Sequence, residues 1–538
     1  LELNNCIYGK YSFLYVSPER LQTDIFMARV TQMPVKLLAV DEAHCISQWG
    51  YDFRPEYLKI GELRKLIPHV PVIAVTATAT PAVADDIQIQ LKFNQPNVYT
   101  SSFARENLQY IVLPEENKEQ RLLSIIQKTP GSGIVYVRSR YQTQKIAEFL
   151  TKNRISATYY HAGLNHEQRS QRQTDWTTGK TRVIAATNAF GMGIDKPDVR
   201  FVVHMEPTDT TENYFQEAGR AGRDLQKAFC ILLYNAADGR EALEKFEQQR
   251  TSAEDAHRMM ALLHSYYKVA DGSGDGITFD FDIQQFASYA SLHVNKVYNT
   301  VKTLEQQGII TLSENVFIPS KIKFTVNNYT LYEFQVKYPV LADFVKIILR
   351  SYGGAFEQYV PINENELAKR MGIAAADVKK GLEKLHQNEI LDYQQQKDVP
   401  QLTFNFPRGI ELIDAKAIDK RASLLLDKLK AVIQYAEQSE KCRQRVLLQY
   451  FGEEKTENCG KCDVCIELRK KIVSANEIEY YRGIIQTTLA NGPVQIVVLA
   501  KQAGIQHQAK LADAIRKLTE SGELEIKEGW VYPVTSVK

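Results

Sequence analysis

Nowhere do the 538 residues of this chain read G-x-x-x-x-G-K-[ST], the signature of a phosphate-binding loop. No apolar run approaches the roughly 20 residues that a membrane-spanning helix needs, and no signal segment opens the chain. No low-complexity tract points to general disorder. Charge of one sign is also missing: 66 basic and 64 acidic residues leave a net +2. That balance excludes a uniformly basic nucleic-acid binder but permits local basic faces. Cysteine is scarce, at seven residues. Together these absences predict a soluble intracellular protein with no membrane partner. With 44% apolar residues the chain can build sizeable cores, and its length predicts three to five domains. Leu1 is not a start methionine, so the expectation is a piece of a longer protein.

What is present begins with Asp41 and Glu42. The apolar run Val35, Leu37, Leu38, Ala39, Val40 reads as a buried strand, and the two carboxylates follow where it ends. Nucleotide sites of open α/β sheets lie at the carboxyl ends of strands. There one acid can hold Mg²⁺ through water while its neighbour orients or deprotonates the attacking water. Two solvated acids opening a helix would look the same. The tail Cys45-Ile46-Ser47-Gln48-Trp49-Gly50-Tyr51-Asp52-Phe53-Arg54-Pro55, directly after Ala43-His44, favours the site.

To about residue 240, short apolar strands alternate with helical stretches, as in parallel α/β sheets. Candidate strands are 13–16, 37–40, 72–76, 134–137, 183–186, 201–204 and 229–233. Thr76-Ala77-Thr78-Ala79-Thr80-Pro81 offers hydroxyls that could link to the acidic pair and cap the helix that Pro81 helps to start. Further on come Val137-Arg138-Ser139, Tyr160-His161-Ala162-Gly163 and Gly191-Met192-Gly193-Ile194-Asp195. A lone Gly-Met-Gly is weak, since turns use it as often. In Gln216-Glu217-Ala218-Gly219-Arg220-Ala221-Gly222-Arg223, a helix would put Gln216, Arg220 and Arg223 on one face. Small residues between them admit a close surface, and paired guanidiniums suit a γ-phosphate. A surface salt-bridge face is the plainer alternative. Gly179-Lys180-Thr181 imitates the end of a phosphate loop, but Thr174 stands where its first glycine belongs; it reads as a turn.

In this order these segments resemble a RecQ-family DNA helicase of superfamily two. The resemblance runs from Tyr15-Val16-Ser17-Pro18-Glu19-Arg20 through Arg223, and the loop from Cys45 to Pro55 is its most specific part. It implies two RecA-like lobes, the first partial, with ATP between them and single-stranded DNA across their top. Asp41 would organise Mg²⁺, Glu42 act as base and His44 couple nucleotide state to neighbouring motifs. Gly193, Asp195, Gln216, Arg220 and Arg223 would meet the nucleotide, Arg223 as the arginine finger. Trp49, Phe53, Arg54, Arg138 and His161 would contact DNA. The family plan places the phosphate loop upstream of the position that Leu1 occupies. A chain beginning at Leu1 is therefore expected not to hydrolyse ATP efficiently, although the full-length protein should.

Cys442, Cys459, Cys462 and Cys465 form C-x16-C-x2-C-x2-C, which fits a closed four-thiolate Zn²⁺ site and resembles the RecQ zinc subdomain. Buried free thiols are the alternative. Arg443, Arg445, Lys461 and Lys470 could meet DNA backbone or simply be solvated. Beyond the cluster, helices at 494–504 and 509–519 and a hairpin around Glu528-Gly529 describe a winged helix. The pattern recurs twice earlier: Val294, Val297, Val301 and Leu304 before Gly308, and Val378, Leu382 and Leu385 before Ile390. These modules either touch DNA or act as spacers, and neither recognition helix is strongly basic.

The expected architecture is α/β RecA-like helicase lobes followed by α+β winged-helix modules and a helical zinc-binding subdomain. The divisions are 1–105 and 106–245 for the lobes, 246–350 and 351–410 for two winged modules, 411–470 for zinc and 471–538 for the last winged helix. The function implied is an ATP-driven 3′→5′ DNA helicase of recombination and repair. It would act on single-stranded and duplex-junction DNA in a bacterial cytoplasm, at the nucleoid, with a single-stranded-DNA-binding protein as candidate partner. A DNA-binding or strand-annealing scaffold with a vestigial motor is the competing reading.

Overall fold

A short parallel pair carries the acidic residues: β1 (Leu38–Val40) beside β2 (Val72–Ala74), with Val40 opposite Ala74. The structure is a computed structural model. It describes residues 2–47, 50, 53–191, 194–313, 320–394, 400–410, 412–454, 456–471, 475–490, 492–503 and 508–533. The chain divides into two units, Leu1–Glu247 with Arg421–Lys538, and Gln248–Lys420. Among the described residues no helix is long and apolar enough to cross a membrane.

The first lobe departs from expectation at residues 13–16. They pair with neither strand, and Phe13 and Tyr15 are 80% and 93% exposed. Nor is the 37–40 strand buried throughout, since Leu37 and Ala39 face solvent. What core the lobe has forms on the other face, from Val40, Ala43, Ile46, Val83 and Ile87. The helix Pro81–Gln90 starts at Pro81 as expected, but Thr80 in the cap position makes no side-chain cap bond.

The second lobe is a six-stranded parallel sheet in the order β3-β8-β7-β4-β6-β5. Its strands are β3 (Leu108–Pro114), β4 (Ser132–Tyr136), β5 (Ala157–Tyr160), β6 (Val183–Ala186), β7 (Val199–His204) and β8 (Ala228–Tyr234). Every residue of β4 and β6 is buried, as strands covered on both faces require. Gly133 in β4 is obligatory, since a Cβ there would lie 2.0 Å from the Phe201 ring. A capping box from Ser139 and Gln142 starts the helix Arg140–Lys152. Because all strands run one way, Arg138, His161 and Thr187 emerge at the same sheet edge, just past β4, β5 and β6.

The second unit holds two winged-helix modules, nested and not in tandem. In the first, β9 (Thr278–Asp280), the helices Ile283–Ala290 and Val294–Gln306, and β10 (Ile310–Ser313) precede a central strand that arrives ninety residues later. Between them lies the second module: β11 (Lys321–Phe324), β12 (Val360–Pro361) and β13 (Leu391–Gln394), with the helices Glu364–Met371 and Ala375–Gln387. Only then does β14 (Gln401–Phe404) pair with both β10 and β9. The second module therefore sits inside the wing of the first. Its central strand β11 comes before its helices, a permuted order. From Ser313 to Lys321 is eight residues and from Gln394 to Gln401 seven, so the two antiparallel ladders differ in register by one residue. The expected division at 350/351 falls at the end of the helix Pro339–Ser351. Periodicity finds helix faces but cannot show which distant strands pair. Val297, Val301 and Leu304, and Val378, Leu382 and Leu385, are buried as the periodicity predicts.

The helix Ala415–Glu437 leads to the cysteine cluster. Leu429, Val432, Ile433, Tyr435 and Ala436 from it, with Leu447, join the same core as β3, β4, β7 and β8. The zinc segment thus shares the second lobe's core, beside a small cluster of its own formed by Cys442, Cys462, Val464 and Cys465. The last winged helix closes with β15 (Val494–Gln495), β16 (Leu524–Lys527) and β17 (Trp530–Pro533), in the order β15-β17-β16. Glu528 and Gly529 both take positive φ in its hairpin turn, as a type I′ turn demands.

Candidate functional site

Immediately after β1 the backbone turns sharply, with Glu42 in the left-handed region at φ 47 and ψ 44. A non-glycine residue there stores strain of roughly 1–3 kcal/mol, which surrounding contacts must hold in place. They do so in three ways. The Ala43 N–H donates to the Val75 carbonyl at 3.0 Å, the Glu42 N–H donates to Asp41 Oδ1 at 2.8 Å, and His44 is buried beneath. His44 Nδ1 lies 2.9 Å from Thr76 Oγ1 and 3.3 Å from Glu42 Oε2. Thr76, in the segment after β2, is thus linked to the acidic pair through one imidazole. Asp41 remains exposed.

In the aromatic-rich loop, Trp49 lies outside the described residues. Gly50 is needed there, because a Cβ would stand 2.6 Å from the His44 carbonyl. Phe53, expected to face DNA, is only 6% exposed and lies under the Arg421 guanidinium, 5.6 Å from its ring centroid. Arg54 is half-buried, and its N–H donates to the Cys45 carbonyl at 2.9 Å. The contact between Arg421 and Phe53 is worth about 0.5–1 kcal/mol. Arg421→Ala is therefore expected to speed chymotryptic cleavage at Phe53 by roughly two- to fivefold, with Arg421→Lys retaining much of the protection. Unchanged cleavage in the alanine variant would show that the contact holds nothing.

On the second lobe, the helix expected to carry Gln216, Arg220 and Arg223 ends early, spanning Thr211–Ala218. Gly219 terminates it, and Gly222 at φ +56 turns the chain so tightly that a Cβ would meet Asn107 Nδ2 at 2.4 Å. Gln216 stays on the helix while both arginines lie in the turn beyond it. The structure still brings them to the expected glycine segment. Arg220 Nη1 donates to the Gly191 carbonyl at 2.5 Å, and Arg223 Nη1 pairs with Asp195 at 2.7 Å. Gly193 lies outside the described residues. Sequence reading missed Arg105 and Asn107, which hold this turn from the segment just before β3. Arg105 Nη2 and Asn107 Nδ2 donate to the Gly222 carbonyl at 2.8 and 2.7 Å. Their signal was an ordinary Arg-x-Asn ahead of an apolar strand, which periodicity does not distinguish from a loop.

Of the other residues expected at DNA, Arg138 is paired with Asp209 and mostly buried, and burial lowers its affinity for the proton. His161 stacks on Tyr159, and burial, then Arg140 and Arg172, lower its pKa. It is neutral at neutral pH and offers a ring and a hydrogen bond, not a charge.

The four cysteines converge, with their sulfurs all within 4.8 Å of one another. Backbone N–H groups point at them: Cys459 to Cys442 at 3.2 Å, Cys462 to Cys459 at 3.3 Å and Cys465 to Cys462 at 3.3 Å. A donor set of four soft sulfurs, stabilised as thiolates by N–H donors, fits a tetrahedral Zn²⁺ with no open position. Arg443, a candidate for DNA contact, is instead buried, donating to Asp463 at 2.9 Å and to the Tyr435 carbonyl. Lys461 donates to the Glu106 carbonyl, so it too works within the fold.

Residues 2–87 match the DEAD/DEAH box helicase family and 117–224 the helicase conserved C-terminal domain. Residues 322–395 match the RecQ helicase winged-helix domain of Bacteroidota, and 396–466 the RecQ zinc-binding family. The ATP-dependent DNA helicase RecQ of Pasteurella multocida (strain Pm70) is 44% identical over 236 residues, 44% of this chain and 37% of that protein. ATP-dependent DNA helicase RecQ of Bacillus subtilis (strain 168) is 40% identical over 266 residues, 48% and 45% of the two chains. RecQ-like DNA helicase blm-1 of Caenorhabditis elegans is 42% identical over 251 residues, 44% and 25%. The match spans less than half the length of each of these relatives.

Proposed function

Because this chain belongs to the RecQ helicase family, we propose that it acts as part of an ATP-driven DNA helicase moving 3′→5′ in recombination and repair. The observation that carries this reading is the His44 link between Glu42 and Thr76, since a vestigial motor has no use for a strained, buried connection of this kind. ATP with Mg²⁺, when bound, supplies the phosphoryl group whose transfer to water drives movement. Asp41 would hold the metal through water and Glu42 accept the proton of the attacking water. Arg220 and Arg223 would leave the Gly191 carbonyl and Asp195 to reach the γ-phosphate. Asp195 would then steer the nucleotide edge of the second lobe, and Gln216 read nucleotide state from its helix.

The chain holds the acids and the arginine turn but no glycine-rich cradle or lysine for the β- and γ-phosphates. Alone, it is proposed to be inactive as an ATPase. Arg54, Arg138 and His161, with Trp49, are proposed to line a path for single-stranded DNA, with Phe53 supporting it from beneath Arg421, and the last winged helix to meet the duplex. We place the protein in the bacterial cytoplasm, at the nucleoid, beside a single-stranded-DNA-binding protein. If phosphate contacts dominate, affinity for an oligo-dT strand should fall by about tenfold or more between roughly 50 and 200 mM salt, read by fluorescence anisotropy. A flat salt response would remove the proposed channel.

A further inference from the structure

The helix Thr211–Ala218, which leads into the arginine turn, begins on a buried acid. Glu212 stands in the helix's first turn and is only 1% exposed. Its Oε1 accepts from Lys428 Nζ at 2.5 Å and its Oε2 from the Tyr450 hydroxyl at 2.8 Å. Lys428 is itself only 8% exposed. Burial, then the Glu212 carboxylate, push the Tyr450 phenol well above its ordinary value, so it stays the donor. Neither partner belongs to the second lobe. Lys428 comes from Ala415–Glu437, and Tyr450 is the last residue of Arg443–Tyr450, which starts directly after the zinc ligand Cys442.

Two charges this buried are costly to separate, because removing one leaves the other unpaired in a low-dielectric interior. The pair therefore fixes register. From the cysteine cluster a path runs through Arg443–Tyr450 to Glu212; one turn further along Thr211–Ala218 stands Gln216, and Arg220 follows in the turn beyond the helix. At the helix's far end His204 Nε2 meets Glu217 Oε2 at 2.8 Å, and between the two ends Tyr214 and Phe215 pack on Tyr435 and Phe451 of the zinc segment.

We propose that Glu212 is a positioning residue that registers the arginine turn against the zinc subdomain, so that occupancy of the four-cysteine site sets where Arg220 and Arg223 stand. What this means for ATP rests on the function proposed above, but the link itself does not. Hydrogen exchange in the whole chain tests it without nucleotide, with zinc bound and after stripping by a chelator. In the unmodified chain, stripping should raise exchange across 211–224 by about tenfold. Lys428→Met should raise it with zinc still bound, and stripping should then add less than about twofold. Lys428→Arg should restore both protection and its dependence on zinc, which a loss of general stability would not do. Tyr450→Phe removes one hydrogen bond without unpairing a charge; should Lys428→Met fail to fold, this variant still must loosen 211–224. The proposal is overturned if stripping opens 443–450 while 211–224 stays protected. It is equally overturned if Lys428→Met or Tyr450→Phe leaves 211–224 unchanged.

Discussion

Glu42→Gln is expected to lower DNA-stimulated ATP turnover by about 10³-fold in any form of the protein that also carries a phosphate loop. Gln keeps the shape of Glu but cannot accept a proton from the attacking water. The effect belongs to chemistry because the surroundings survive the change. Thr76 Oγ1 remains 2.9 Å from His44 Nδ1, and the Ala43 N–H still donates to Val75. Loss of the 3.3 Å contact between His44 and Glu42 should cost no more than about 1 kcal/mol of stability, since Glu42 is partly exposed. A fall in turnover with an unchanged melting temperature and unchanged affinity for single-stranded DNA is the pattern expected. A fall accompanied by lost DNA binding would instead mean that the loop after His44 had collapsed.

Cys459→Ser should have the largest effect on folding. Zinc content, measured by atomic absorption, is expected to drop from one per chain to near zero, because three sulfurs leave a structural site incomplete. The damage should reach the second lobe, because helices of the zinc segment pack into that lobe's core. Leu429, Val432, Ile433 and Leu447 pack with β3, β4, β7 and β8, each worth roughly 1.5–3 kcal/mol when buried. Fraying part of that layer costs about 3–5 kcal/mol, a shift of roughly 10 °C in the lobe's melting transition. An independent zinc module would lose its metal and leave that transition where it was.

Much of this was legible in the sequence. The acidic pair at a strand end, the parallel alternation of the second lobe and the four cysteines at ligand spacing each declare themselves through local pattern. The hairpin at Glu528-Gly529 does the same, because two positive φ angles demand particular residues. What could not be read depends on partners distant in the chain. Leu37 and residues 13–16 look like core but are exposed, since burial depends on a neighbouring strand and not on apolar composition. Phe53 looks like a DNA contact but packs under Arg421, 368 positions away. Nesting of one winged module in the wing of another follows from β10 pairing with β14 across ninety residues, a pairing no periodicity announces. Glu212, Lys428 and Tyr450 gave no signal at all, because an isolated acid near a helix start is ordinary.

ATP turnover with and without single-stranded DNA tests the central claim most directly, measured on this chain and on a form extended at its N-terminus by a phosphate-loop segment. No turnover above background is expected from the chain alone. The extended form should show DNA-stimulated turnover with separation of a 3′-tailed duplex, and should lose both in Glu42→Gln and in Arg223→Ala. Turnover by the chain alone that Glu42→Gln abolishes, or turnover by the extended form that Glu42→Gln leaves intact, would contradict it.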